Sequence, residues 1–79
     1  YPNPFNPETV IKFSIPALTL VEIRVYDVLG KEIKVLTAKH YDAGDHSLKF
    51  NADNLSSGVY FYELRTRDYS VTRSMILLK

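Results

Sequence analysis

Val21, Ile23 and Val25 are apolar, and Glu22, Arg24 and Tyr26 alternate with them. A period of two puts each set on its own face of a β-strand, the first toward the interior. Thr9 to Ile15 repeats the pattern. Ile11, Phe13 and Ile15 share one face there, Val10, Lys12 and Ser14 the other, and Pro16 ends the run. His46, Leu48 and Phe50 alternate with Ser47 and Lys49. Leu55 to Arg65 is the longest strand-favouring stretch, opened by the turn residues Ser56, Ser57 and Gly58. Its core face is Tyr60, Tyr62 and Leu64, because the opposite face (Val59, Phe61, Glu63, Arg65) gives way to charge. We expect it to be a central strand. Ser70 to Leu78 returns as the last one.

The segments between these runs read as turns. Asp27-Val28-Leu29-Gly30-Lys31 joins the Val21 run to Glu32–Leu36 as a hairpin, with Gly30 free to take positive φ. Thr37 to Asp45 is polar and holds a turn signal at Tyr41 to Asp45. Asn51 to Ser57 reads as loop and Thr66 to Tyr69 as a hairpin turn. No segment has a helical period, and Ala17 to Glu22 allows at most a short helical turn. The expected fold is all-β: an immunoglobulin-like antiparallel sandwich of about seven strands, six of them clear and a seventh in the loops. Tyr1 to Pro7 holds three of the four prolines, so residues 1–8 are expected to form an extended connector with Phe5 docked on the domain. Residues 9–79 form the single domain. Gly58-Val59-Tyr60 resembles the tyrosine corner of such sandwiches. Tyr60 is then structural, and its hydroxyl seeks a partner in the Leu55 to Ser57 turn.

Composition narrows the function. At 79 residues the chain is one small domain, burying about 60–65% of its unfolded surface. It has no cysteine, hence no disulfide and no thiolate metal site. Ten basic and nine acidic residues give a net charge of +1, which is no footprint for nucleic acid or an anionic membrane. The longest apolar run, Met75 to Leu78, is far too short for membrane insertion. No signal-peptide pattern is present, and the abrupt start at Tyr1-Pro2-Asn3-Pro4 reads as a module cut from a longer protein.

Candidate chemistry is sparse. His40 and His46 lack a third ligand for a metal, and His46 reads as a half-buried structural residue. Asp42, Asp45, Asp53, Asn51 and Asn54 could supply oxygens to calcium, but the same residues are the ordinary currents of turn chemistry, and no cofactor is expected. Serine, histidine and aspartate occur without a Gly-x-Ser-x-Gly elbow or a phosphate-binding glycine loop. Without a nucleophile–base pair the chain reads as non-catalytic. Tyr26, Tyr41, Tyr60, Tyr62 and Tyr69 would make a sugar-stacking platform only if several rings lay exposed on one face.

Four segments in order carry a family resemblance: Tyr1-Pro2-Asn3-Pro4-Phe5-Asn6-Pro7 with Thr9 to Phe13; Val25 to Ile33; Leu55 to Tyr62; and Met75-Ile76-Leu77-Leu78-Lys79. Together they resemble the C-terminal sorting domain of type IX secretion system cargo, the Por secretion tail, and the related immunoglobulin-like domain of the flagellar hook-capping protein. The resemblance covers essentially the whole chain. It implies a domain at the extreme C-terminus of a secreted protein from a Bacteroidetes-type bacterium. Such a domain directs an N-terminal cargo domain from the periplasm across the outer membrane to the cell surface or medium. The implied partners are the type IX translocon and its shuttle proteins, with a surface sortase that removes the domain and attaches cargo to lipopolysaccharide.

The lysine-ended tail is part of the family signal, and Lys79 occupies that position; a sorting domain is expected to stand last, and the sequence ends right after its final strand. The expected recognition residues are Met75, Ile76, Leu77, Leu78 and Lys79, with Asp27, Gly30 and Lys31 of the nearby turn. Gly58 and Tyr60 match as structural motif residues. Two positions depart from the pattern: Ser74, where a basic residue is frequent, and Phe50, where tryptophan is. Two other readings fit a small sandwich. One is a structural module of a surface protein or a hook-cap-like assembly; the other is a carbohydrate-binding module.

Overall fold

A computed structural model describes residues 8–78 of the chain. Within them lie six strands: β1 Glu8–Ile15, β2 Thr19–Tyr26, β3 Glu32–Tyr41, β4 Gly44–Asn51, β5 Gly58–Arg65 and β6 Ser70–Leu77. They form two antiparallel sheets. The larger has the order β3-β2-β5-β6, and the smaller pairs β1 with β4. β5 is therefore an interior strand, and β3 and β6 are the edges of its sheet.

The alternation explains the layering. Val21, Ile23 and Val25 are fully buried on the inner face of β2. Tyr60 and Leu64 of β5 and Leu77 of β6 extend that surface. Ile11 and Ile15 of β1 and Phe50 of β4 close over it from the smaller sheet. β1 and β4 run in unbroken register from Glu8 opposite Asn51 to Ile15 opposite Gly44.

β3 differs from expectation. The polar Thr37–Tyr41 segment is not loop; it pairs with Ile23 to Thr19 and extends β3 to ten residues. As an edge strand it exposes polar residues without cost, which hides it from a hydrophobic pattern. The turn shrinks to residues 42–43, and β4 then crosses to the other sheet. This absorbs the room left for a seventh strand, so six, not seven, are found among the described residues. The 52–57 loop is closed by a hydrogen bond from Leu55 N–H to the Ala52 carbonyl, at 3.0 Å. Residues 16–18 form a bend, not a helical turn, and β2 begins at Thr19. The connector and Phe5 lie almost wholly outside the described residues; Glu8, assigned to the connector, opens β1.

At the entry to β5, Gly58 has φ of +149°, a conformation that disfavours a side chain. Two residues on, the Tyr60 hydroxyl donates to the Ser56 carbonyl at 2.8 Å. The buried ring thereby ties β5 to the loop before it. Tyr60→Phe should keep the ring packing and lose that bond, lowering stability by about 1 kcal/mol in urea unfolding. An unchanged midpoint would refute the role given to the hydroxyl.

Candidate functional site

The β2–β3 turn is built around one carboxylate. Asp27 Oδ1 accepts from the backbone N–H of Leu29 and of Lys31, each at 2.9 Å. The Asp27 carbonyl accepts from Gly30 N–H, and Asp27 N–H donates to the Lys31 carbonyl, both at 3.0 Å. Gly30 takes φ of +82°, which closes the loop and which a side chain would strain. With its polar groups bonded inward, the turn holds Leu29 out in solvent, 89% exposed, with Val28 beside it.

The register brings this turn to the same end of the larger sheet as the end of β6. Tyr26, the last residue before the turn, sits opposite Phe61 of β5. Phe61 sits opposite Ser74, and Val59 opposite Ile76. The start of β5, with Gly58 and Tyr60, thus lies between the turn and the final residues of β6. Of the expected tail residues, Met75 and Leu77 face the core, Leu77 being 7% exposed. Ile76 is 68% exposed and Leu78 80%. Lys79 lies outside the described residues.

An apolar strip that the sequence reading did not single out joins these parts. Tyr26, Phe61, Val59 and Ile76 share the outward face, with Tyr26 and Phe61 half-buried and Val59 and Ile76 exposed. The signal was in the alternation: Val59, Phe61 and Ile76 occupy outward positions where polar residues are expected. Farther along the same face the surface becomes charged. Arg24 Nη1 meets Glu22 Oε1 at 3.0 Å, Arg24 Nε meets Glu32 Oε1 at 3.2 Å, and Arg65 Nη2 meets Glu63 Oε2 at 3.1 Å. The Glu22 hydrogen bond, then the Glu22 charge, hold the Arg24 guanidinium above its usual range. Pairs as open to solvent as these contribute little stability and chiefly mark the border of the apolar strip.

Several of the remaining candidate residues are occupied structurally, while His40 is exposed on β3. His46 stacks on Phe13 with ring centroids 5.3 Å apart and meets the edge of Tyr41 at 4.9 Å. Its Nε2–H donates to the Asp42 carbonyl at 2.7 Å. Asp45 accepts from Ser14 Oγ, and Asn51 Oδ1 accepts from Asp53 N–H at 2.8 Å. Among the described residues no three histidine or carboxylate side chains gather as a metal site. The tyrosines do not share a face: Tyr26 points outward, whereas Tyr60 and Tyr62 point inward. An exposed turn, an apolar strip and the end of an edge strand thus come together at one end of the larger sheet.

A family model described as the secretion system C-terminal sorting domain matches residues 1–78. Neither a curated protein nor a solved structure matches the chain.

Proposed function

The chain belongs to the family of secretion system C-terminal sorting domains, and from that membership we propose that its C-terminal stretch is read by the type IX shuttle together with the Asp27–Lys31 turn. The domain is a type IX secretion signal that marks a cargo protein for export to the cell surface or medium, and such domains are generally non-catalytic. In the proposed mechanism an N-terminal cargo domain folds in the periplasm while this domain stays accessible. The shuttle engages Met75 to Lys79 with Asp27, Gly30 and Lys31. β6 is an edge strand, so its backbone can accept an added strand from the shuttle. After passage across the outer membrane, a surface sortase exchanges the domain for an anchor.

The observation that supports this reading is the convergence of the turn and the end of β6 on one end of the larger sheet. The test is a fusion of this domain to a periplasm-targeted fluorescent protein in a host with a working type IX system. The expected result is fluorescence at the surface or in the medium, lost when the translocon is removed. A folded fusion that stays in the periplasm would point instead to a structural module.

A further inference from the structure

Among the described residues the two sheets are unequal, and the larger is not fully covered. Sheets stack about 10 Å apart and strands lie about 4.8 Å apart within them, so a two-stranded sheet covers about half of a four-stranded one. β4 lies toward β3: the Lys34 ammonium sits over the Phe50 ring, 5.8 Å from its centroid. β1 lies toward β5 and β6, where Ile11 and Phe13 face Tyr62, Leu64 and Val71 across a groove of about 140 Å³.

β6 shows what is left uncovered. Val71, Arg73, Met75 and Leu77 alternate onto its inner face, opposite Leu64, Tyr62, Tyr60 and Gly58. Leu77 is buried and Met75 half-buried, but Val71 and Arg73 are exposed although they point to the core side. Arg73 and Lys12 both line this groove. Among the described residues neither makes an ion pair. Among the described residues β1 pairs only with β4, so its other edge, along the groove, presents backbone groups that no described strand pairs with.

We infer that the groove between β1 and β6 takes an extended acidic segment of a partner protein, added as a third strand to the free edge of β1. Backbone pairing with β1 supplies the attachment. Alternate side chains of the added strand then point inward over β6. An aliphatic one fills the space between Ile11 and Val71, and a carboxylate meets Arg73, with Lys12 adding positive charge at the rim, which selects an acidic strand over a basic one. This surface lies apart from the turn and tail discussed above and does not depend on their role.

The probe is a short capped peptide with valine and glutamate at successive inward positions and threonine between them (Val-Thr-Glu-Thr-Val-Thr-Glu), titrated into the 79-residue chain and followed by amide NMR. Alternate amides of β1 should gain exchange protection, with shifts at Val71 and Arg73. Arg73→Glu, at an exposed position, should weaken binding at least about tenfold. The same variant should gain binding to the peptide with lysine in place of each glutamate. Shifts confined to the outer edge of β6, equal binding of both peptides, or no binding would overturn the inference. So would dimerisation of the chain alone through β1, which would make a second copy the occupant.

Discussion

Cargo fused to a domain carrying Ile76→Thr and Leu78→Gln should reach the surface at least about tenfold less than cargo with the unaltered domain, by the loss expected when exposed apolar anchors leave an interface. The pair is chosen because both side chains stand in solvent, at 68% and 80% exposure. Removing them exposes no core and breaks no ladder, so thermal unfolding should change little. Deleting residues 75–79 is the simpler experiment and the harder one to interpret. Leu77 is part of the core, and residues 75–77 pair with Tyr60, Val59 and Gly58. The deletion therefore unpacks β5 as well as removing the tail, and retained cargo would report either loss. Thr72→Ala, on the outward face of β6 opposite Glu63, serves as the control and should leave export unchanged. Normal export of the double variant would refute recognition through these side chains.

Phe50→Ala should be the most damaging single core change. The ring is 1% exposed, the largest of the fully buried side chains, and it is where the smaller sheet meets the larger. Truncating a buried phenylalanine costs about 3–5 kcal/mol. A domain of this length has about 4–12 kcal/mol in all. The thermal midpoint should fall by more than about 12 °C. Val59→Ala, at a position 42% exposed, should shift it by no more than a few degrees. A Phe50→Ala chain with near-normal stability would mean that the core rearranges around the gap.

The sequence was most legible where one face is buried and the other wet. β1, β2 and β5 meet that condition, and the inward sets Ile11 and Ile15, Val21 to Val25, and Tyr60 with Leu64 are as the alternation indicated. β3 was harder because it is an edge strand and because the β2–β3 ladder shifts register between Ile23 and Arg24 and again between Val25 and Tyr26. A bulge breaks the period of two on which the reading relies. The division into sheets was not visible either. A two-residue connection after Tyr41 looks like a hairpin turn, yet β3 and β4 belong to different sheets. For the candidate site, the turn could be read from Asp27 and Gly30. Its closeness to the end of β6 could not, because that depends on the pairings of β2 with β5 and β5 with β6. Val71 and Arg73 were invisible for another reason: facing inward does not ensure burial when the opposite sheet stops short.

The crossing of the chain between sheets after β3 also bears on the order in which the molecule assembles. β1 directly precedes β2, and β4 directly follows β3. Once the β2–β3 hairpin forms, its two flanking arms are already neighbours, and closing β1 onto β4 fixes little additional chain. β5 and β6 form a second local hairpin. The pairing thus groups into two local units, residues 8–51 and residues 58–77, joined in the larger sheet by β2 against β5 and beneath it by the shared core. Opening that seam would leave the pairings of the first four strands intact but would strip Tyr60, Leu64 and Leu77 from the core they share with Ile11, Ile15 and Phe50, so the final hairpin leaves only at the expense of the packing beneath it.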